Sequence, residues 1–163
     1  VKDMLEEKVV EKALDEYGDM LRRICFVHLK KEADIEDVFQ NVFLKYASNA
    51  TPFLSSEHEK AWLIRVTINE CHSFSRKWFN RNVDLVEDFS MYGLKEEPTY
   101  PEVLEAVLKL KPNLKNVIYL YYYEGYQLSE IAEILNQKEN TIYTWMHRAK
   151  KKLKEMLGDD RFE

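Results

Sequence analysis

Asn140, Tyr143, Thr144, His147 and Arg148 recur at three- and four-residue spacing, and Lys150, Lys151, Lys152 and Lys154 follow them. On a helix the first five share one face. Polar side chains on the early turns with lysines beyond them suit a helix that reads base edges in a major groove while its basic end holds phosphate. Ile142, Met146, Ala149 and Leu153, spaced four, three and four apart, form the opposite stripe that would bury.

Such a helix needs a partner to hold it. Ser129 to Leu135 reads as a short preceding helix, with Asn136-Gln137-Lys138 as the turn, which together make a helix-turn-helix. Ser129 is the expected cap, Ile131 and Leu135 the expected buried face, and Ala132 is small enough for a close crossing. Asn136 stands where the turn needs a residue that tolerates left-handed geometry. Upstream, Pro101 to Lys109 reads as one amphipathic helix, and Pro112 opens another that runs to Tyr123 and ends at Gly125. Two short amphipathic helices with a lysine-rich end also occur in helical domains that bind no DNA, so spacing alone leaves both readings open.

Catalytic chemistry finds no comparable support. His28, His58, His72 and His147 are scattered, without a nucleophile-base-orienter set, a phosphate loop or paired carboxylates. The sequence predicts no enzyme and no cofactor. Cys25 with His28 and Cys71 with His72 raise the question of zinc, but buried or incidental positions are the commoner reading, and no metal site is expected.

The chain has 163 residues, with four glycines and four prolines, few for tight turns. An all-α fold is expected. Hydrophobic residues at 45% supply a core and charged residues at 33% keep it in solution. No apolar run approaches the ~20 residues of a spanning helix, and the start, Val-Lys-Asp-Met-Leu-Glu-Glu, has no secretory pattern, so no membrane insertion and a cytoplasmic location are expected. Two cysteines suit a reducing compartment.

A net charge of −5 argues, taken whole, against nucleic acid. Its distribution reverses that. Residues 1–50 carry −3, 51–82 carry +2, 83–102 carry −5 and 103–163 carry +1. The stretch NVDLVEDFSMYGLKEEPTYP, from Asn82 to Pro101, holds two prolines, a glycine and no helical period, which reads as an acidic linker. Before it, Leu14, Tyr17, Leu21 and Ile24 form one apolar stripe and Ile35, Val38, Val42 and Tyr46 a second, with Asp34 as the expected N-cap. A third helix is predicted from about Glu59 through Trp62, Leu63, Val66 and Phe74 to about Phe79.

Three stretches in this order carry a resemblance. DIEDVFQNVFLKYA (Asp34 to Ala47) and KAWLIRVTINECHSFSRKW (Lys60 to Trp78) resemble region 2 of the sigma-70 family, and LKPNLKNVIYLYYYEGYQLSEIAEILNQKENTIYTWMHRAKKKL (Leu110 to Leu153) resembles its region 4. The chain is similar to bacterial sigma factors of the extracytoplasmic-function group. The resemblance implies two small helical domains, 1–80 and 104–163, joined by an acidic linker, 81–103. It implies a transcription initiation factor that binds core RNA polymerase through the beta-prime and beta subunits and directs it to promoter DNA. An anti-sigma factor is the other implied partner.

Site residues follow by the same resemblance. Asp37, Gln40, Asn41, Leu44 and Lys45 are the implied polymerase contacts. The loop Pro52 to Glu59 is implied to receive a flipped base, with Phe53, Ser55 and Ser56 in its pocket. Arg65, Asn69, Arg76 and Lys77, with Arg81 beyond, are implied to contact the minus-10 strand. Asn140, Thr141, Tyr143, Thr144, His147, Arg148 and Lys151 are implied to contact the minus-35 element. Trp62 is either core or stacking platform, and core is the commoner role. The chain departs from the family pattern at Asn41, where glutamate is usual, at Ser73, where aspartate is frequent, and at Tyr121, Tyr143 and Trp145, where basic residues are common. These departures weaken phosphate binding by region 4 and leave the minus-35 sequence open. The rival reading is a stand-alone helix-turn-helix regulator whose first 80 residues dimerise or sense a signal.

Overall fold

Leu21 and Ile24, two members of the first apolar stripe, lie fully buried on α1 (Glu7–His28). The protein is described by a computed structural model covering residues 6–49, 51–77 and 101–158. The chain divides into two compact units, Val1–Glu96 and Glu97–Glu163, and every described element is an α-helix or a short variant of one.

The first unit packs α1, α2 (Glu32–Ala47) and α3 (Ser56–Lys77) pairwise against one another. Each contributes to one core, where Leu21, Ile24, Val38, Val42, Tyr46, Leu63 and Ile64 are almost wholly excluded from water. Thr67, the polar exception on α3, donates its hydroxyl to the Leu63 carbonyl at 2.7 Å and so leaves no unpaired group. Arg22 on α1 ion-pairs with Glu36 on α2 and lies 4.0 Å over the Phe39 ring, joining the two helices by charge and by a cation–π contact.

Two helix starts differ from expectation. Lys31 occupies the N-cap of α2, placing Glu32 and Asp34 in the first turn, where a carboxylate still meets the positive end of the helix dipole. Helix α3 begins at Ser56 rather than Glu59, because the Ser55 hydroxyl accepts the His58 amide at 3.1 Å and satisfies a first-turn donor.

The second unit holds α4 (Pro101–Leu108), α5 (Pro112–Ile118), a single π-helical turn (Tyr119–Tyr123), α6 (Leu128–Ile134) and α7 (Glu139–Leu157). Pro112 sits in the first turn of α5, where its missing N–H costs nothing. The π turn replaces the continuous helix expected to Tyr123. Glu124 caps it, and Gly125 just beyond takes a left-handed φ of 76°, as the glycine implied. Helix α7 packs on α4, α5 and α6, and Ile142, Met146, Ala149 and Leu153 are all buried, as their spacing predicts.

The predicted linker, Asn82 to Pro101, lies outside the described residues apart from Pro101, the first residue of α4.

Candidate nucleic-acid and partner surfaces

The turn between α6 and α7 sets the angle at which α7 meets a ligand. Asn136 takes φ 53°, the one non-glycine residue among those described with positive φ. The Gln137 amide donates to the Ala132 carbonyl at 2.9 Å and the Asn136 amide to Glu133 at 3.2 Å, the paired bonds of a Schellman stop. The start of α6 differs from the sequence reading. Gln127, not Ser129, precedes the first turn, and the Glu130 carboxylate accepts the Gln127 amide at 3.0 Å. At the other end Ile134 is buried and Leu135 half-buried, because Leu135 already lies in the cap.

With α7 fixed this way, Asn140, Tyr143, Thr144, His147, Arg148 and Lys151 are exposed and Thr141 is half-buried. The Thr144 hydroxyl donates to the Asn140 carbonyl at 2.9 Å, which leaves its lone pairs turned outward as acceptors. The basic end is open to solvent at Lys151, Lys152 and Lys154. A polar reading face and a basic stem therefore lie on one helix.

On α2 of the first unit, Asp37, Gln40, Asn41, Leu44 and Lys45 are all exposed, and Leu44 is 61% exposed despite its apolar side chain. Lys45 ion-pairs with Glu70 of α3 across the edge of this stripe. Exposed pairs contribute little and exchange readily, so Lys45 can turn to another acceptor.

The loop between α2 and α3 is more built than its sequence implied. Phe53 lies parallel to Tyr46 at 6.0 Å and meets Trp62 and His58 edge-on, each at 5.5 Å. The Leu54 amide donates to His58 Nδ1 at 3.1 Å, and Leu54 itself is 92% exposed. Trp62 is half-buried in this aromatic cluster and serves as packing. Phe53, Ser55 and Ser56 come together on a cavity of about 570 Å³ that Tyr17, Tyr46 and Glu59 also line. The Tyr46 hydroxyl donates to Glu59 Oε2 at 3.0 Å. Burial, reinforced by that bond, pushes the Tyr46 hydroxyl up to about 12, and burial beside Glu16 and Glu59 raises Tyr17 as well.

Tyr17, Tyr46 and Glu59 escaped the sequence reading as site residues. The tyrosines fell on apolar stripes, and Glu59 entered only as the end of the implied base-receiving loop and the approximate start of the third helix. The signal was there in a polar tip on each stripe residue, which a buried position must satisfy.

Arg65, Asn69 and Arg76 are exposed along α3, and Lys77 ends it. The Lys77 side chain, Trp78, Phe79 and Arg81 lie outside the described residues. His28 and His72 meet edge-on at 5.2 Å across α1 and α3, and Cys25 and Cys71 are buried and not disulfide-bonded. Among the described residues no group of three or more His, Cys, Asp or Glu is placed to hold a metal, and no helix is long and apolar enough to cross a membrane.

Residues 13–79 match the family model for sigma-70 region 2, and residues 101–153 match that for sigma-70, region 4. The chain is 27% identical over 163 residues to the ECF RNA polymerase sigma factor SigW of Bacillus subtilis (strain 168), covering 90% of this chain and 87% of SigW. It is also 27% identical over 139 residues to the RNA polymerase sigma factor SigV of the same organism, covering 83% and 82%. Among solved structures, the sigma factor RpoE bound to the anti-sigma factor NepR, from Bartonella quintana, shares the fold, with a TM-score of 0.70 at 22% identity over 94% of this chain and 99% of that one. CnrH in complex with the cytosolic domain of CnrY gives 0.68 at 21% identity, covering 95% and 91%.

Proposed function

The chain belongs to the sigma-70 family, in its extracytoplasmic-function group, and we propose that it binds core RNA polymerase and directs it to promoters as a transcription initiation factor. The observation that carries this is the pairing, in one chain and in order, of region 2 with region 4. A stand-alone regulator would need only the second.

The division of labour follows the chemistry of each surface. Residues 1–80 act on the polymerase and on the minus-10 element, residues 81–103 link, and residues 104–163 bind the minus-35 element. The α2 stripe of Asp37, Gln40, Asn41, Leu44 and Lys45 docks on the polymerase. Its mixed polar and apolar exposure supports this role. The loop carrying Phe53, Ser55 and Ser56 takes up a base extruded from the duplex, and Arg65, Asn69, Arg76 and Lys77 hold the opened strand. Trapping a base offsets the few kcal/mol that unstacking costs. The polar face of α7 reads the minus-35 duplex, and Arg148 and Lys151 hold its phosphates.

The factor works by binding, without catalysis of its own and without a cofactor, in the cytoplasm where polymerase resides. The two solved relatives, RpoE bound to the anti-sigma factor NepR and CnrH bound to the cytosolic domain of CnrY, support an anti-sigma factor as a further partner here. The test mixes the purified chain with core polymerase and a promoter library and measures run-off transcription. Selective initiation is expected. Failure to bind core, with tight binding to a palindromic site by the chain alone, would establish the rival regulator instead.

A further inference from the structure

The exposed stripe on α2 is charged unequally along its length. Asp37 stands near its start and Lys45 in its last turn, eight residues on and so about 12 Å along the axis. A cation there also meets the negative end of the helix dipole. Lys45 is further held from outside its own helix, because its Nζ donates to Glu70 Oε1 on α3. The two partners sit differently. The Lys45 side chain is 58% exposed and that of Glu70 only 18%, since Glu70 turns toward α2 while its neighbour Asn69 faces solvent. Packing therefore fixes the carboxylate, and the ammonium comes to it.

An ammonium has three donors and this pair takes one, which leaves two for a partner. A lysine with no such anchor would have to order a long, rotamer-rich side chain on docking, and that ordering weakens an interface. Glu70 has ordered it beforehand. The pair adds little to the stability of the fold, because one partner is open to water, so its value lies in where it holds the ammonium.

We infer that Glu70 is a positioning residue for polymerase docking, which aims Lys45 at an acceptor group on the polymerase segment that lies along α2. Lys45 turns its spare donors to that acceptor, and Asp37 at the other end of the stripe takes donors. Opposite hydrogen-bonding character at the two ends admits the segment in one direction and one register. Glu70 acts through Lys45 and touches no polymerase group itself.

This assignment rests on the reading of the α2 stripe as the polymerase-docking surface. The experiment titrates labelled full-length chain with core polymerase at one salt concentration, for wild type, Lys45→Met, Glu70→Leu and the double variant. Glu70→Leu should weaken binding about threefold to tenfold, the cost of ordering one long side chain. Lys45→Met should weaken it at least as much, and the double variant no more than Lys45→Met alone, because Glu70 has nothing left to aim. Glu70→Gln keeps an acceptor of the same shape without the charge and should fall between wild type and Glu70→Leu. Urea midpoints of the free chains should be no lower than that of wild type by more than an exposed pair is worth.

Unchanged or tighter binding by Glu70→Leu would overturn the inference. So would an equal loss from Glu70→Leu in the wild-type and Lys45→Met backgrounds, which marks a structural role, or full binding by Lys45→Met. In the last case Leu44→Glu separates the two ideas: its loss of binding would leave docking through α2 standing without Glu70, and its full binding would remove the docking reading as well.

Discussion

Tyr46 joins two roles in one side chain. Its ring is buried in the core of the first unit, and its hydroxyl reaches the cavity wall at Glu59. Tyr46→Phe keeps the ring and deletes a hydrogen bond to a charged acceptor, so a loss of about 1–2 kcal/mol is expected in urea titration of the chain. The pH dependence follows from the raised hydroxyl. An unfolded tyrosine ionises near pH 10, whereas Tyr46 in the fold holds its proton to about 12. Its stabilising contribution is therefore complete below pH 10 and is lost as pH rises through 12, and Tyr17 adds in the same direction. Wild-type chain should lose stability over that window, and the gap between it and Tyr46→Phe should narrow; melts at pH 9 to 12 check this.

Among the elements, α2 and α7 each separate a buried stripe from an exposed one, and that separation makes their faces open to independent test. Leu44→Glu changes a side chain that is 61% exposed, so stability should move by no more than about 0.5 kcal/mol. Binding of core polymerase should fall at least tenfold, measured by titration of labelled chain. On α7, Arg148→Ala and Lys151→Ala should each weaken binding to all promoters alike and lower the salt slope by about one. Asn140→Ala should instead relax preference at one minus-35 base pair, costing about 1–3 kcal/mol there. Comparing the holoenzyme on a promoter panel at several salt concentrations separates the two effects. Much of this was legible beforehand. Spacing alone put Ile142, Met146, Ala149 and Leu153 inside, and Asn136 announced its left-handed turn. The caps were less legible. Ser129 and Asp34 have the right chemistry for a cap, but the chain enters α6 and α2 at least two residues earlier, where Gln127 and Lys31 stand.

For the molecule as a whole, charge matters by location. The net −5 equals the charge of residues 83–102, and the parts proposed to face DNA are close to neutral. The chain alone should therefore bind promoter duplex weakly and depend on the polymerase for phosphate attraction. The linker acids, which lie outside the described residues, are proposed to imitate nucleic acid within the polymerase. Reversing Glu87, Asp88, Glu96 and Glu97 to lysine should reduce initiation while leaving binding to core through α2 intact; run-off transcription beside a core-binding titration tests it.

Composition, helical period and motif order in the sequence determined the helical class, the two-part organisation and the polar face of α7. These are properties of contiguous residues, since a 3.6-residue period assigns faces along one helix without reference to any other. The cavity is of another kind. Tyr17 from α1, Tyr46 from α2, Phe53 from the loop and Glu59 from α3 are up to 42 positions apart, and no local period relates them. Only the packing of three helices brings them to one wall, where each tyrosine buries its ring in the shared core and must direct its hydroxyl to the nearest carboxylate.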